Sequence, residues 1–299
     1  MAQGYTQEYN IPVLVVHAEN FKTDDHLPGI EHTMEASIQL MEEQSLCERV
    51  NVLGLRLGDF SRTEVCRVLQ ENGIETGMLL PGKTSVEGIR TAPGARCNLV
   101  VHPIGLPLAR KMKERFGTPY VLFERYTDPD RILASYRALF EALGLALLDS
   151  LKELHAETSR QTVQARETLA GGTYISGNTA LCNYELHSFL AGKLGIKPLL
   201  LQISDLDEGS AAFRKDLLAC CDPYVTRAAN ISALRYLYPV LKPDYNLGAG
   251  VGPELRKNGI AGVRMADAYH TLGFEVCSMV LDAFLRAKQE QQQLQEERP

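Results

Sequence analysis

The residues able to do chemistry in this 299-residue chain fall mainly at the ends of apolar runs. His102 closes the run CNLVVH, just before Pro103-Ile104-Gly105. A neutral imidazole there is a ligand for a metal or a substrate, or else a strand-end histidine bonded to backbone. Gly248, Gly250 and Gly252 punctuate LGAGVGPEL, with Pro253 suited to a first helical turn. Backbone N–H groups in such a loop can approach a carboxylate or phosphate; glycines that only permit a tight turn are the alternative. The spacing is GxGxG rather than GxGxxG and no acidic residue stands about 20 positions on, so a nicotinamide fingerprint is a poor match. Asn178 follows the run GTYISG, His270 sits in AYHTLGFEVC, and His17 lies at the strand end in VVHAENF. Each histidine is a ligand candidate or a satisfied structural residue, and convergence of several in one pocket favours the ligand reading.

Seven cysteines are scattered without CxxC spacing. Adjacent Cys220 and Cys221 read as a redox pair, as thiolate ligands or, more plainly, as packing residues after a helix. Cys97, at a strand start, and Cys66, on a helix, read as core. No leader sequence is visible, which together with the thiols points to a reducing cytoplasm. The formal charge of −6 is spread along the chain, which argues against nucleic acid as a partner. No apolar run nears the roughly 20 residues that span a bilayer, so no membrane partner is expected. Ser-His-Asp order and HExxH are absent, and any ATP hydrolysis is expected to belong to a partner. No metal ligand is assigned.

The elements behind these turns repeat. In LQENGIETGMLL, MKERFGTPYVLF, LAGKLGIKPLLLQI and LRKNGIAGVRM, a helix-like segment reaches a glycine and an apolar run follows. Glycine just past a helix supplies a left-handed C-terminal cap. The apolar runs are continuous rather than alternating, as in parallel strands buried on both faces. Strand and helix alternate every 25 to 35 residues or so, the spacing of right-handed crossover units. One sheet is expected from 50–55, 76–80, 97–102 and 120–123, a second from 172–177, 198–203, 245–250 and 262–265. One long helical stretch separates them, with the boundary near 145–168. IPVLVVHAENFKT (11–23) reads as a further buried strand that cannot bury its own face, the tail of another α/β domain. The fold class is therefore α/β: two Rossmann-like doubly wound parallel-sheet domains plus the carboxyl-terminal tail of a further α/β domain. The glutamine-rich end AKQEQQQLQEERP extends the last helix into solvent or frays.

Taken in order, IPVLVVHAENFKT, VNVLGLRLGD, GIETGMLLPGKTSVEGIRTAPGARCNLVV, LARKMKERFGTPYVLF, GTYISGN, KLGIKPLLLQI, LKPDYNLGAG and GFEVCSMVLDAFLRA resemble the component 1 (D/K-type) subunits of nitrogenase and nitrogenase-like oxidoreductases. That family includes cofactor-scaffold subunits and ATP-dependent tetrapyrrole reductases. The resemblance implies Rossmann-like domains around a cleft, with 1–45 as the remnant of a first, 46–148 as a second, and 149–299 as a linker helix and a third. It implies an iron–sulfur cluster or other metallocluster at a subunit or interdomain cleft, or a tetrapyrrole substrate. The implied partners are a homologous component 1 subunit, as homo- or heterodimer, and an ATP-dependent iron–sulfur reductase. The family's bridging-cluster cysteines lie in the first domain, ahead of what is seen here. The molybdenum-type cysteine and histidine ligands fall at about His102-Pro103 and Ala266, so neither is kept, which argues against a molybdenum-type cofactor. The expected function is an oxidoreductase subunit fed by the reductase. A non-catalytic scaffold or binding subunit is the alternative. A periplasmic-type binding protein is a third, disfavoured by the missing export signal.

Overall fold

The computed structural model describes residues 2–9, 11, 13–17, 27–177, 181, 183–203, 209–226, 230–265 and 267–296. Two compact units are formed, the first from Met1–Glu124 with Ala134–Leu147, the second from Arg125–Leu133 with Leu148–Pro299.

The first unit begins with helices α1 (Ala2–Tyr9) and α2 (Leu27–Ala36), then β1 (Cys47–Leu53), α3 (Glu64–Glu71), β2 (Glu75–Leu80), α4 (Val86–Arg90), β3 (Ala95–Val100), α5 (Leu106–Phe116) and β4 (Tyr120–Leu122). Helix α6 (Pro129–Ala142) gives this unit its turns from Ala134 onward. The strands are all parallel, in the order β2-β1-β3-β4. Leu53, Met78, Val100 and Ile104 pack with Met34, Leu108 and Met112 as one core cluster. A polar clasp pins the sheet. Asn51 donates to Asn98 Oδ1 (2.8 Å) and Ala92 O (2.9 Å) and accepts from Met78 N (3.0 Å), where the β1–β2 register slips.

The second unit continues with α7 (Asp149–Leu169), β5 (Thr173–Ser176), α8 (Tyr184–Phe189), β6 (Lys197–Gln202), α9 (Ser210–Cys220), β7 (Tyr224–Thr226), α10 (Ile231–Leu241), β8 (Tyr245–Leu247), α11 (Gly252–Asn258), β9 (Ala261–Val263) and α12 (Phe274–Glu296). Its five parallel strands run β7-β6-β5-β8-β9. Ile175, Leu234, Tyr238, Leu255 and Ile260 form a core cluster, and Tyr174 and Tyr245 meet Phe284 of α12 edge-on at 6.2 and 5.8 Å.

The repeated helix-to-strand turn is physically one device. Gly73, Gly117, Gly195 and Gly259 all have φ between 68° and 75°. At Gly73 and Gly259 the next amide reaches back to the helix, Ile74 N to Leu69 O (3.0 Å) and Ile260 N to Leu255 O (2.9 Å).

Several expectations need correction. The described residues of 11–23 are not a strand, and Ile11 and Val15 are each 55% exposed rather than buried. The single long helical stretch is two helices, because Gly144 (φ 66°) caps α6 while Leu145 N closes onto Phe140 O (2.8 Å). The second sheet has a fifth strand, β7, which carries no continuous apolar run because it is an edge, with Tyr224 72% exposed. β3 and β8 stop at Val100 and Leu247, short of the expected 102 and 250. No described helix is long and apolar enough to cross a membrane.

Candidate functional site

Doubly wound sheets bind ligands beyond the carboxyl ends of their strands, where the strand order reverses. In the second unit that point lies between β5 and β8. Ser176 and Leu247 are register partners, and Gly177 N donates to Leu247 O (2.9 Å). The loop after β8 then turns inward: Asn246 Nδ2 donates to the carbonyls of Gly248 (3.2 Å) and Ala249 (3.3 Å). Val251 N donates to the buried Tyr238 hydroxyl (3.3 Å), so that amide is already occupied. Gly248 has φ 81°. A Cβ on Gly250 would come within 2.7 Å of Asn246 Nδ2, and one on Gly177 within 2.1 Å of Ala249 O. A Cβ on Gly252 would meet nothing within 4 Å. Packing therefore accounts for Gly177 and Gly250 and the left-handed backbone for Gly248, while Gly252 faces open space. The structure brings Gly248, Gly250 and Gly252 together with Gly177; Asn178 lies outside the described residues, as does Ala266.

In the first unit the corresponding point lies between β1 and β3. His102 stands two residues past β3 and caps the turn Pro103–Gly105, its Nδ1 accepting from Ile104 N (3.2 Å). That is a local reason for a histidine before proline: the ring satisfies an amide that the turn leaves open. The chain crosses closely here. A Cβ on Gly54 (φ 93°) would sit 2.7 Å from His102 O, and one on Gly105 2.8 Å from Leu53 Cβ. The neighbouring Asp59 caps its own turn through Ser61 N (3.1 Å). His17, in the same unit, is exposed, and its carbonyl meets His32 Nδ1 at 2.7 Å.

His270 belongs to the second unit. It closes the short turn Ala268–His270, ahead of α12 rather than in it. Arg125 holds the carbonyls on either side, donating from Nη2 to Tyr269 O (3.0 Å) and from Nε to Thr271 O (3.1 Å). Burial lowers the guanidinium's pKa, so desolvation is what these two charge-assisted bonds must offset. Arg125→Met is expected to cost about 2 to 3 kcal/mol. It should also speed amide exchange through 268–272, measured by hydrogen exchange, whereas unchanged exchange there would show that Arg125 does not hold the turn.

Glu185 and His187, on α8, have the most perturbed environments, and neither is singled out by the sequence. Glu185 is 3% exposed. Its carboxyl accepts from Thr127 N (2.9 and 3.0 Å) and Asp128 N (3.0 Å), amides that lead into α6. Burial pushes its pKa up from 4.5 to about 7; the two amides oppose this and the nearby Asp128 charge reinforces it. It lines a cavity of about 300 Å³ with Asp128, Arg131, Lys193, Phe213 and Cys220. Arg131 lies over the Phe213 ring at 4.4 Å, and Lys193 and His155 both bond Asp130 (3.2 and 2.9 Å). His187 is fully buried; Nδ1 meets the Tyr174 hydroxyl at 2.8 Å and Nε2 has no partner among the described residues. Burial drives its pKa down from 6.5 to about 3. A protonatable carboxyl beside a cavity and an imidazole held neutral are acid–base chemistry in form. In sequence, Glu185 is an ordinary first-turn acid after the cap Asn183, and only contact with residues 57 and 58 positions earlier makes it special.

The described thiols do not form a ligand set. Cys97 and Cys277 are buried, their pKa values pushed up to about 12 by desolvation, so they stay protonated. Cys66 is buried on α3, Cys220 is exposed, and Cys221 is half-buried with its pKa raised by burial. Among the described residues no three His, Cys, Asp or Glu side chains gather to hold a metal ion. The described residues of this chain thus do not by themselves fit a metallocluster, and no step is derived through one.

The geometry has counterparts. A family model described as Nitrogenase component 1 type Oxidoreductase matches residues 1–274. A light-independent protochlorophyllide reductase subunit of Bradyrhizobium sp. (strain ORS 278) is 25% identical over 215 residues, which cover 71% of this chain and 38% of that protein. The corresponding reductase subunit from Zygnema circumcarinatum is 36% identical over 128 residues, 38% of this chain and 25% of its own. Nitrogenase iron-molybdenum cofactor biosynthesis protein NifE of Clostridium pasteurianum is 28% identical over 129 residues, 42% and 28% of the two chains. The chain spans less than two-fifths of the length of these curated relatives. Among solved structures, nitrogenase Cp1 at pH 6.5 superposes with a TM-score of 0.76 over 99% of this chain and 72% of that one, at 14% identity, a likeness of fold. With the family match running from residue 1 to 274, the chain belongs to the nitrogenase component 1 type oxidoreductase family.

Proposed function

We propose that the chain is a subunit of a nitrogenase-component-1-like oxidoreductase that takes electrons from a separate ATP-dependent iron–sulfur reductase. The observation that carries this reading is the family match over residues 1–274. In it, residues 1–45 end a first α/β domain, 46–148 form a second, and 149–299 supply a linker helix and a third. The partner is a homologous component 1 subunit in the cytoplasm, and the pair works on a metallocluster or a tetrapyrrole. Ligands for a cluster come in part from that partner, since the described residues of this chain supply no complete set. His102, Asn178, the 248–252 loop and His270 are the residues of this chain proposed to face the bound group.

A scaffold that holds a cluster precursor or a partner without catalysing electron transfer is the second reading. The NifE match favours it, as does the His102 ring being engaged by Ile104 N. Anaerobic co-expression with the adjacent genes, followed by iron analysis and electron paramagnetic resonance, separates the two. A reducible cluster whose signal changes on adding the reductase and MgATP supports the first reading. A complex that carries iron or tetrapyrrole but shows no ATP-dependent reduction supports the second. A chain that pulls down no homologous subunit and no iron contradicts both.

A further inference from the structure

The first unit holds a second cavity, of about 250 Å³, between the lower halves of β1 and β2 and the segment Lys83–Thr91. Its chemistry is one-sided. Arg49 and Lys83 line it with the hydroxyls of Thr76, Thr84 and Ser85, and no Asp or Glu is among the lining residues. The chain as a whole carries 37 acidic against 31 basic residues, so this concavity runs against the general sign of the protein. Lys83 makes no ion pair or hydrogen bond among the described residues, so its ammonium is free to take a ligand. Arg49 pairs with Glu75 at 3.5 Å, but both side chains are largely exposed and such a pair is worth under about 1 kcal/mol, easily exchanged for a better anion.

The walls are fixed rather than loose. Asn51, at the floor, is 1% exposed and held by its three bonds across β1, β2 and β3. Two glycines keep the space open: a Cβ on Gly77 would lie 2.8 Å from Asn51 Oδ1, and one on Gly88 2.8 Å from Thr84 Oγ1. Ser85 Oγ accepts from Gly88 N (2.9 Å), which leaves its own proton to donate. Two cations and several hydroxyl donors, with the exposed Glu75 as the carboxylate to be displaced from Arg49, suit a compact anion with several acceptor oxygens. The stretch GMLLPGKT (77–84) has the GxxxxGK[ST] spacing, but its first glycine lies inside β2 rather than in a loop after it and only the five-residue α4 follows, so the argument rests on the cavity and not on the motif.

We propose that this cavity binds a small phosphate or phosphate ester. The site includes none of the residues proposed above to face the bound group, so it stands or falls independently of the oxidoreductase reading. Titration calorimetry of the full chain with orthophosphate and with phenyl phosphate, at constant ionic strength set by chloride, tests it. Saturable binding with Kd below about 1 mM is expected. Lys83→Ala should weaken it about tenfold, the effect of one charge-assisted bond. Lys83→Arg should largely retain it, and Lys257→Ala, a lysine of the other unit, should not change it. Tighter binding of phenyl phosphate marks an ester as the occupant; equal binding marks the free anion. Lys83 is exposed, so its variants keep the fold, which circular dichroism checks. No saturable binding of either probe, or binding that Lys83→Ala leaves unchanged, overturns the proposal.

Discussion

Glu185→Gln is expected to make the chain lose stability on acidification through a range where the parent holds level. Glu185 has its pKa raised from 4.5 to about 7, so between those values the folded carboxyl keeps a proton that the unfolded one has released. Its contribution to stability is fully present below 4.5 and is lost as pH rises to about 7, at about 1.4 kcal/mol per pH unit. His187 runs the other way. Its pKa is lowered from 6.5 to about 3, so its contribution is present above 6.5 and is lost as pH falls through about 3. From pH 4.5 to 6.5 the two slopes are opposite and of equal size, and they cancel.

Removing one member exposes the other. Relative to the parent, Glu185→Gln should lose about 3 kcal/mol between pH 6.5 and pH 4.5, because only the His187 slope remains. The amide oxygen can still accept from Thr127 N, so the bonds into α6 survive. His187→Gln should gain a similar amount relative to the parent over the same range, its amide still reaching the Tyr174 hydroxyl. The double variant should return to a level profile. Urea midpoints at four pH values measure all of this. A difference between Glu185→Gln and parent that stays constant from pH 6.5 to pH 4.5 would mean that the folded carboxyl ionises like the unfolded one.

This pair also shows where sequence reading stops. The sheets were legible because parallel strands buried on both faces leave continuous apolar runs, and the turns because a left-handed cap nearly demands glycine, as at Gly73, Gly117, Gly195 and Gly259. β7 was not legible, since an exposed edge of three residues needs no apolar run. Residues 11–17 have the composition of a buried strand, yet pairing and burial are set by neighbours that composition does not name. Glu185 is the extreme case. Its burial, its bonds to Thr127 and Asp128 and its cavity all depend on a segment nearly 60 residues away, so nothing local distinguishes it from an exposed helix-start acid. The site loops fall between these limits: their position at strand ends was readable, and which glycine serves packing was not.

That last distinction can be measured, and it carries the other large effect. Gly177→Ala should cost about 3 kcal/mol or more, because its Cβ would lie 2.1 Å from a backbone oxygen, Ala249 O, and a backbone atom cannot swing aside as the end of a side chain can. Relief of that clash would strain the bond from Gly177 N to Leu247 O. Gly250→Ala should cost less, about 1 to 2 kcal/mol, since the obstacle at 2.7 Å is the Asn246 side chain, which can yield but only by releasing the carbonyls of Gly248 and Ala249. Gly252→Ala meets no atom within 4 Å and opens a helix, so it should be neutral or stabilise by about 0.5 kcal/mol. Thermal and urea unfolding give the order directly, and a costly Gly252→Ala beside a harmless Gly177→Ala would refute the packing account. The order matters for function because stability then cannot explain a glycine at 252. If Gly252→Ala leaves the fold intact yet weakens capture of a cluster, a tetrapyrrole or the partner subunit, the open face of this loop is where the bound group approaches, and the glycines at 177, 248 and 250 are the scaffold that holds it there.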